Sequence, residues 1–167
     1  MDTTDELFAR LRRVVRALRP PVLEELGLKE ALEAMVSDIQ SRSDLACSVS
    51  LEAEAVAVLA DPTIETALYR MAQELVTNVV RHAQAMTLSV VLTVDSRHWM
   101  LTVQDDGIGF NPKAESLSGM GIRGVRERAE ILGGCVDFSS PRGAGSTVTV
   151  RIPVTAAGPF GDNPSGM

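Results

Sequence analysis

Four stretches of this sequence hold residue types that could do chemistry. The first is MAQELVTNVVRHAQA (71–85), where Glu74, Asn78 and His82 recur every fourth residue and Arg81 stands beside the last. On a helix that spacing stacks side chains along one line. Asparagine is a costly choice on a solvated helix line, because its amide competes for backbone hydrogen bonds. A carboxylate and an amide oxygen one turn apart can orient a hard cation such as magnesium, which takes oxygen ligands and keeps its waters. Arg81 and His82, one turn on, could meet phosphate. An ordinary polar helix edge with a Glu–His pair is the competing explanation, and spacing alone favours it.

The second stretch is DDGIGF (105–110). Asp105 falls at the end of an expected strand, where a carboxylate can accept a hydrogen bond from an amine. Gly107 and Gly109 permit backbone conformations and close approaches closed to other residues. The third is GMGIRGVRERAEILGG (119–134), in which Gly119, Gly121 and Gly124 lead into a helix whose first N–H groups are free to meet an anion. The G-x-G-x-x-G spacing lacks a preceding strand and a surrounding βαβ unit, which speaks against a dinucleotide fingerprint. The fourth, GAGSTVTV (143–150), places Gly145 and Ser146 at the start of a strand. Plain turns and a glycine hinge would account for these three stretches taken singly.

The elements that must position these residues follow from periodicity. Leu68, Met71, Ala72, Leu75, Val76 and Val79 form the buried stripe of a helix that starts at Asp61 and Pro62 and runs to about Ala85. The Glu74–Asn78–His82 line borders that stripe, so it faces a half-buried cleft wall. Residues 87–94 and 98–104 alternate as two strands joined by DSR. A helix over 121–132 is closed by Gly133 and Gly134, and strands follow at 135–140 and 146–154. Upstream, 4–18 reads as a basic amphipathic helix stopped by Pro20 and Pro21. Leu23–Leu26 make a short turn broken at Gly27, 28–41 form a helix, and 47–53 alternate weakly as a strand. These elements predict an α/β sandwich with a mixed, mostly antiparallel sheet and helices on one face.

Composition narrows the function classes. With 167 residues the chain is the size of one globular domain, and 45% hydrophobic residues suffice for a core. A net charge of -6 argues against nucleic-acid binding as the main task. Cys47 and Cys135 sit in no metal-ligand spacing and read as reduced thiols of a cytoplasmic protein. No apolar run reaches the length of a membrane span, and no signal core opens the chain. His98, beside Trp99, reads as an unremarkable strand histidine.

The order of the motifs is more specific than any one of them. E-x-x-x-N-x-x-x-H on a helix, D-x-G-x-G after a strand, G-x-G at a helix start, and G-S before a last strand resemble the ATP-binding domain of sensor histidine kinases. That domain has the Bergerat (GHKL) fold shared with DNA gyrase and MutL. LYRMAQELVTNVVRHAQA is similar to the N box of the nitrate-sensor and DesK-like subfamily. LRPPVLEELGLKEAL is similar to the segment that joins its dimerisation helices to the ATPase domain. The likeness extends over 5–153.

The resemblance implies a set of roles. Asn78 would ligate Mg²⁺ bridging the phosphates of ATP, with Glu74 positioning the metal or its water; these two are the expected catalytic pair. Arg81 and His82 would lie near the phosphates. Asp105 would bind the adenine amino group in a pocket shaped by Gly107 and Gly109. Gly119, Met120, Gly121, Ile122 and Gly124 would form and hinge an ATP lid. Ser146 stands where the family usually has threonine, contacting adenine through water, with Thr147 as the fallback.

By the same likeness, residues 1–20 would be the end of a second dimerisation helix and 21–154 the catalytic domain, while the Gly, Pro, Ser and Asn of 155–167 predict a disordered tail. Neither His82 nor His98 sits in the setting of the family's phosphoacceptor histidine, so a phosphoacceptor on a dimerisation domain would be the partner. A response regulator would receive the phosphoryl group in turn. The intact protein would be a homodimer, cytoplasmic here and either soluble or membrane-anchored at full length, while this chain alone would be monomeric. An anti-sigma-type serine kinase of the same fold, or a nucleotide-sensing protein-binding module, are the alternatives. The run over 5–28 speaks against the first, and Glu74, Asn78 and Asp105 speak against the second.

Overall fold

The computed structural model describes residues 19–53, 55, 61–109, 121–141 and 143–154. The helix expected over 4–18, the lid residues Gly119 and Met120, and the tail from 155 lie outside the described residues.

Helix α1 (Pro21–Arg42) has proline at its first position, where a missing N–H costs nothing. It is kinked at Gly27, whose φ of 80° and ψ of 174° no helix accommodates. The turn expected at Leu23–Leu26 is thus one helical turn, and the long helix starts after the glycine. The kink frees the N–H of Leu28, which donates to Glu65 Oε1 at 3.0 Å. Arg19 also bonds Glu65, and donates to the carbonyl of Leu23 at 3.3 Å. One carboxylate therefore holds both the entering chain and the kink. The Arg19 and Glu65 side chains are only 17% and 15% exposed, so neither charge is well solvated alone. Glu65→Ala is expected to cost about 3 kcal/mol in urea unfolding, because it strands a largely buried guanidinium; a loss below about 1 kcal/mol would mark the pair as a surface contact.

Strand β1 (Ala46–Leu51) precedes helix α2 (Pro62–Asn78). Asp61 caps α2 by accepting from the Thr63 N–H at 2.8 Å. Ile64, Leu68, Met71, Ala72, Leu75 and Val76 form its buried stripe, as the periodicity predicts. The α-helix stops sooner than the pattern suggests. Val79–Ala83 wind as one π-helical turn, and Gln84 turns the chain out with a left-handed φ of 51°.

Strands β2 (Thr87–Val94) and β3 (His98–Asp105) form the expected hairpin, followed by helix α3 (Ile122–Ile131), β4 (Cys135–Ser139) and β5 (Ser146–Pro153). Helix α3 closes on Gly133 (φ 72°), with Gly134 N–H donating to the Ala129 carbonyl at 2.8 Å. The five-stranded sheet runs β1-β2-β3-β5-β4, with β1–β2 parallel and the other pairs antiparallel.

Alternation assigns the two faces. Leu88, Val90, Leu92, Trp99, Leu101, Val103, Val148, Val150 and Ile152 are buried beneath the helices. The opposite face is partly exposed and carries Thr102 and Thr149, whose hydroxyls lie 3.4 Å apart. Cys47 on β1 and Cys135 on β4 occupy the two edge strands, so they cannot meet, and both are free thiols. Burial pushes the Cys47 thiol up from its ordinary pKa.

Candidate functional site

The site is built around the end of β3, the middle strand. Asp105 is its last residue and pairs in register with Ser146, the first of β5. Both are buried, at 6% and 7% exposure. Ser146 Oγ donates to Asp105 Oδ2 at 2.7 Å, and the Gly107 N–H donates to Oδ1 at 2.8 Å. The carboxylate is thus fixed by one bond on each oxygen. A carboxylate has about four acceptor sites, so capacity remains for an external donor.

Glycines let the neighbouring backbones close on this carboxylate. A Cβ on Gly107 would lie 2.1 Å from the Ala83 carbonyl oxygen, and one on Gly145 (φ 75°) 2.0 Å from the Asp105 carbonyl oxygen. Hydrogen bonds fill both gaps. Ile108 N–H donates to Ala83 O at 2.8 Å, Gly145 N–H to Gly107 O at 2.9 Å, and Gly143 N–H to Ile108 O at 3.0 Å. The DDGIG loop is therefore laced on one side to the π turn after α2 and on the other to the β4–β5 turn. Gly109, at φ 71°, ends the described part of the loop.

Glu74 and Asn78 stand one turn apart on α2, both half-buried, as their place beside the apolar stripe requires. The Asn78 Nδ2 is itself buried and donates to no atom among the described residues. Buried amides are ordinarily satisfied, and this donor suits a ligand acceptor such as a phosphate oxygen. Glu74 meets the start of α3. Gly121 is the N-cap, with φ 66°, and a Cβ there would fall 1.7 Å from Glu74 Oε1.

Other candidates sit differently. Arg81 and His82 fall on the π turn that follows Asn78 and are exposed. Gly124 lies within α3 rather than before it, with Arg128 Nη1 3.1 Å from where its Cβ would be. Ile122 is buried at the first turn of α3. Thr147, next to Ser146, is half-exposed and lies in register with Gln104. Gly119 and Met120 lie outside the described residues.

Sequence reasoning missed Asp106, whose Oδ1 accepts from the N–H groups of both Met86 and Thr87 at 2.8 Å. These bonds, that from Thr87 first, hold its carboxyl below the usual pKa. It also missed Ala83 as a wall of the loop. Neither has a motif signature: Ala83 acts through its carbonyl, and Asp106 reads as an ordinary turn residue.

Among the described residues no three histidine, cysteine, aspartate or glutamate side chains group as a metal cage. Asn78 and Glu74 offer oxygens one turn apart, which suits an ion that takes one or two protein oxygens and completes its shell with water and phosphate.

Residues 63–156 match the family described as histidine kinase-, DNA gyrase B-, and HSP90-like ATPase. The chain is 36% identical over 152 residues to the sensor histidine kinase MctS of Rhizobium johnstonii, covering 89% of this chain and 32% of that protein. It is 29% identical over 144 residues to the sensor histidine kinase LiaS of Bacillus subtilis, covering 86% and 39%. It thus spans about a third of the length of these curated relatives. Among solved structures, a blue-light activated histidine kinase of Erythrobacter litoralis aligns with a TM-score of 0.65 at 22% identity, over 78% of this chain and 42% of that one. The Acinetobacter baumannii histidine kinase AdeS aligns with a TM-score of 0.63 at 20% identity, over 90% and 80%. The fold is that of histidine-kinase catalytic domains, and the chain belongs to the histidine kinase-, DNA gyrase B- and HSP90-like ATPase family.

Proposed function

We propose that residues 21–154 are the ATP-binding catalytic domain of a two-component sensor histidine kinase. The observation that supports this most directly is Asp105: buried, oriented by Ser146 and Gly107, and still able to accept. Asp105 accepts from the adenine amino group, and Gly107 and Gly109 let the purine approach the backbone. Ser146 orients the carboxylate directly as well as lining the pocket.

Asn78, by its amide oxygen, and Glu74, directly or through water, would hold Mg²⁺. When bound, the ion neutralises phosphate charge. The chain's own part in phosphoryl transfer is to position the nucleotide and shape the field around it. Glu74 also bears on Gly121, so the start of α3 and the metal site share one side chain. The exposed Arg81 and His82 lie within reach of phosphates that extend past Asn78.

The phosphoryl group passes to a histidine on a dimerisation domain and from there to a response regulator. The working protein is a homodimer, and this domain acts in the cytoplasm. No helix among the described residues is long and apolar enough to cross a membrane.

Titration with a non-hydrolysable ATP analogue, with and without Mg²⁺, tests the binding half. Saturable binding strengthened by Mg²⁺ is expected, and absence of binding would overturn the reading. Incubation with ATP and a dimerisation fragment tests the transfer half, with acid-labile phosphohistidine on that fragment as the expected product. Acid-stable phosphoserine on a partner would instead make this a serine kinase of the same fold.

A further inference from the structure

We propose that Asp106 is a positioning residue for the nucleotide: its carboxylate clamps the start of β2 to the loop that carries Asp105, and so holds the adenine end of the site in shape. The proposal rests on the adenine reading of Asp105. Asp106 Oδ1 accepts from Met86 and Thr87 N–H groups at 2.8 Å each. Those two residues follow the π turn and the left-handed Gln84, where the chain leaves α2 and enters the sheet. The next residue, Gly107, gives its N–H to the Asp105 carboxylate and packs on the Ala83 carbonyl. Asp106 therefore pins Met86 and Thr87 on the far side of the segment whose Ala83 carbonyl walls the loop. Without it, the bonds that remain on that side among the described residues are the Ile108–Ala83 bond and the pairing of Asp105 with Leu88. The Gly107 N–H would then be less firmly placed against Asp105 Oδ1, leaving Ser146 as the carboxylate's remaining fixed partner.

The sheet contains its own control. Asp95 makes the same pair of bonds in the β2–β3 turn, its Oδ1 accepting from Arg97 and His98 N–H groups at 2.7 Å. It is also exposed and also held below the usual carboxylate pKa, by the Arg97 bond first and that of His98 next. It stands at the opposite end of β3, roughly 25 Å away at strand spacing. A purely structural role predicts the same behaviour from both carboxylates.

Asp106→Ala is expected to weaken binding of the ATP analogue about tenfold and to narrow its preference over a GTP analogue, the scale of losing hydrogen bonds to a charged group. Asp106→Asn, which keeps an acceptor oxygen, should recover most of that affinity and selectivity. Asp95→Ala should lower the melting temperature comparably yet leave affinity within about twofold, as distant sites do. Equal effects of the two alanine variants on binding, or none from Asp106→Ala, overturn the proposal. Should that variant not fold, amide hydrogen exchange on the unaltered chain decides. Exchange at Met86 and Thr87 should slow when the analogue binds, and unchanged exchange overturns the clamp. A chain that binds no analogue at all strikes first at the adenine reading of Asp105, and takes the clamp with it.

Discussion

Asp105→Asn is expected to weaken binding of a non-hydrolysable ATP analogue by about 10- to 100-fold, the range of a charge-assisted hydrogen bond. The fold should survive. An asparagine fits the same volume, keeps an oxygen for the Gly107 N–H, and can turn its amide toward Ser146 Oγ, which accepts as readily as it donates. The remaining acceptor capacity facing an adenine amine is what disappears. The clearer signature is therefore selectivity. Preference for ATP over GTP should collapse, because guanine presents a carbonyl where adenine presents an amine, and an amide no longer repels it. Calorimetry with both nucleotides measures this, and an unchanged ATP-to-GTP ratio would sink the adenine assignment.

Asn78→Ala should separate stability from function. The Asn78 Nδ2 is buried and donates to no atom among the described residues, and a buried donor left unsatisfied costs about 1–3 kcal/mol. Removing the amide relieves that cost, so the variant should melt at the same temperature as the parent or above it. Its nucleotide affinity should fall to the level that the parent shows without Mg²⁺. A folded, unweakened protein that has lost its metal dependence is the expected outcome. A variant that binds as before, with Mg²⁺ still strengthening the complex, would remove Asn78 from the metal site. Glu74 is a less clean probe, since its carboxylate also packs on Gly121 and its loss would disturb the start of α3.

Much of the architecture was legible because it rests on period and punctuation. The two-residue alternation of Leu88, Val90 and Leu92, and of Trp99, Leu101 and Val103, fixes both strands and the face they bury. Asp61 with Pro62, and Gly133 with Gly134, mark helix ends by their own backbone preferences. Asp105 and Ser146 could be proposed from motif order, but their direct bond depends on a strand register that only the folded sheet sets. The π turn was not legible. Leu75, Val76, Val79 and Ala83 continue the α pattern without interruption, yet the chain winds as a π turn from Val79 to Ala83. His82 therefore follows Asn78 on a π turn rather than on a continued α-helix. The Glu65 carboxylate was missed for a related reason. Its two partners, Arg19 and Leu28, are 46 and 37 residues away in sequence.

Glu65 has a mechanical consequence. Helix α2 is a stiff rod, and from Glu65 to Asn78 it extends for about 20 Å at helical rise. The chain entering at Arg19 is fastened to one end of that rod, and the candidate metal ligand rides on the other. A twist or pull on the chain ahead of Arg19 would be delivered to the rod itself, and so to Asn78 and to the loop that Ala83 ties to the rod's end.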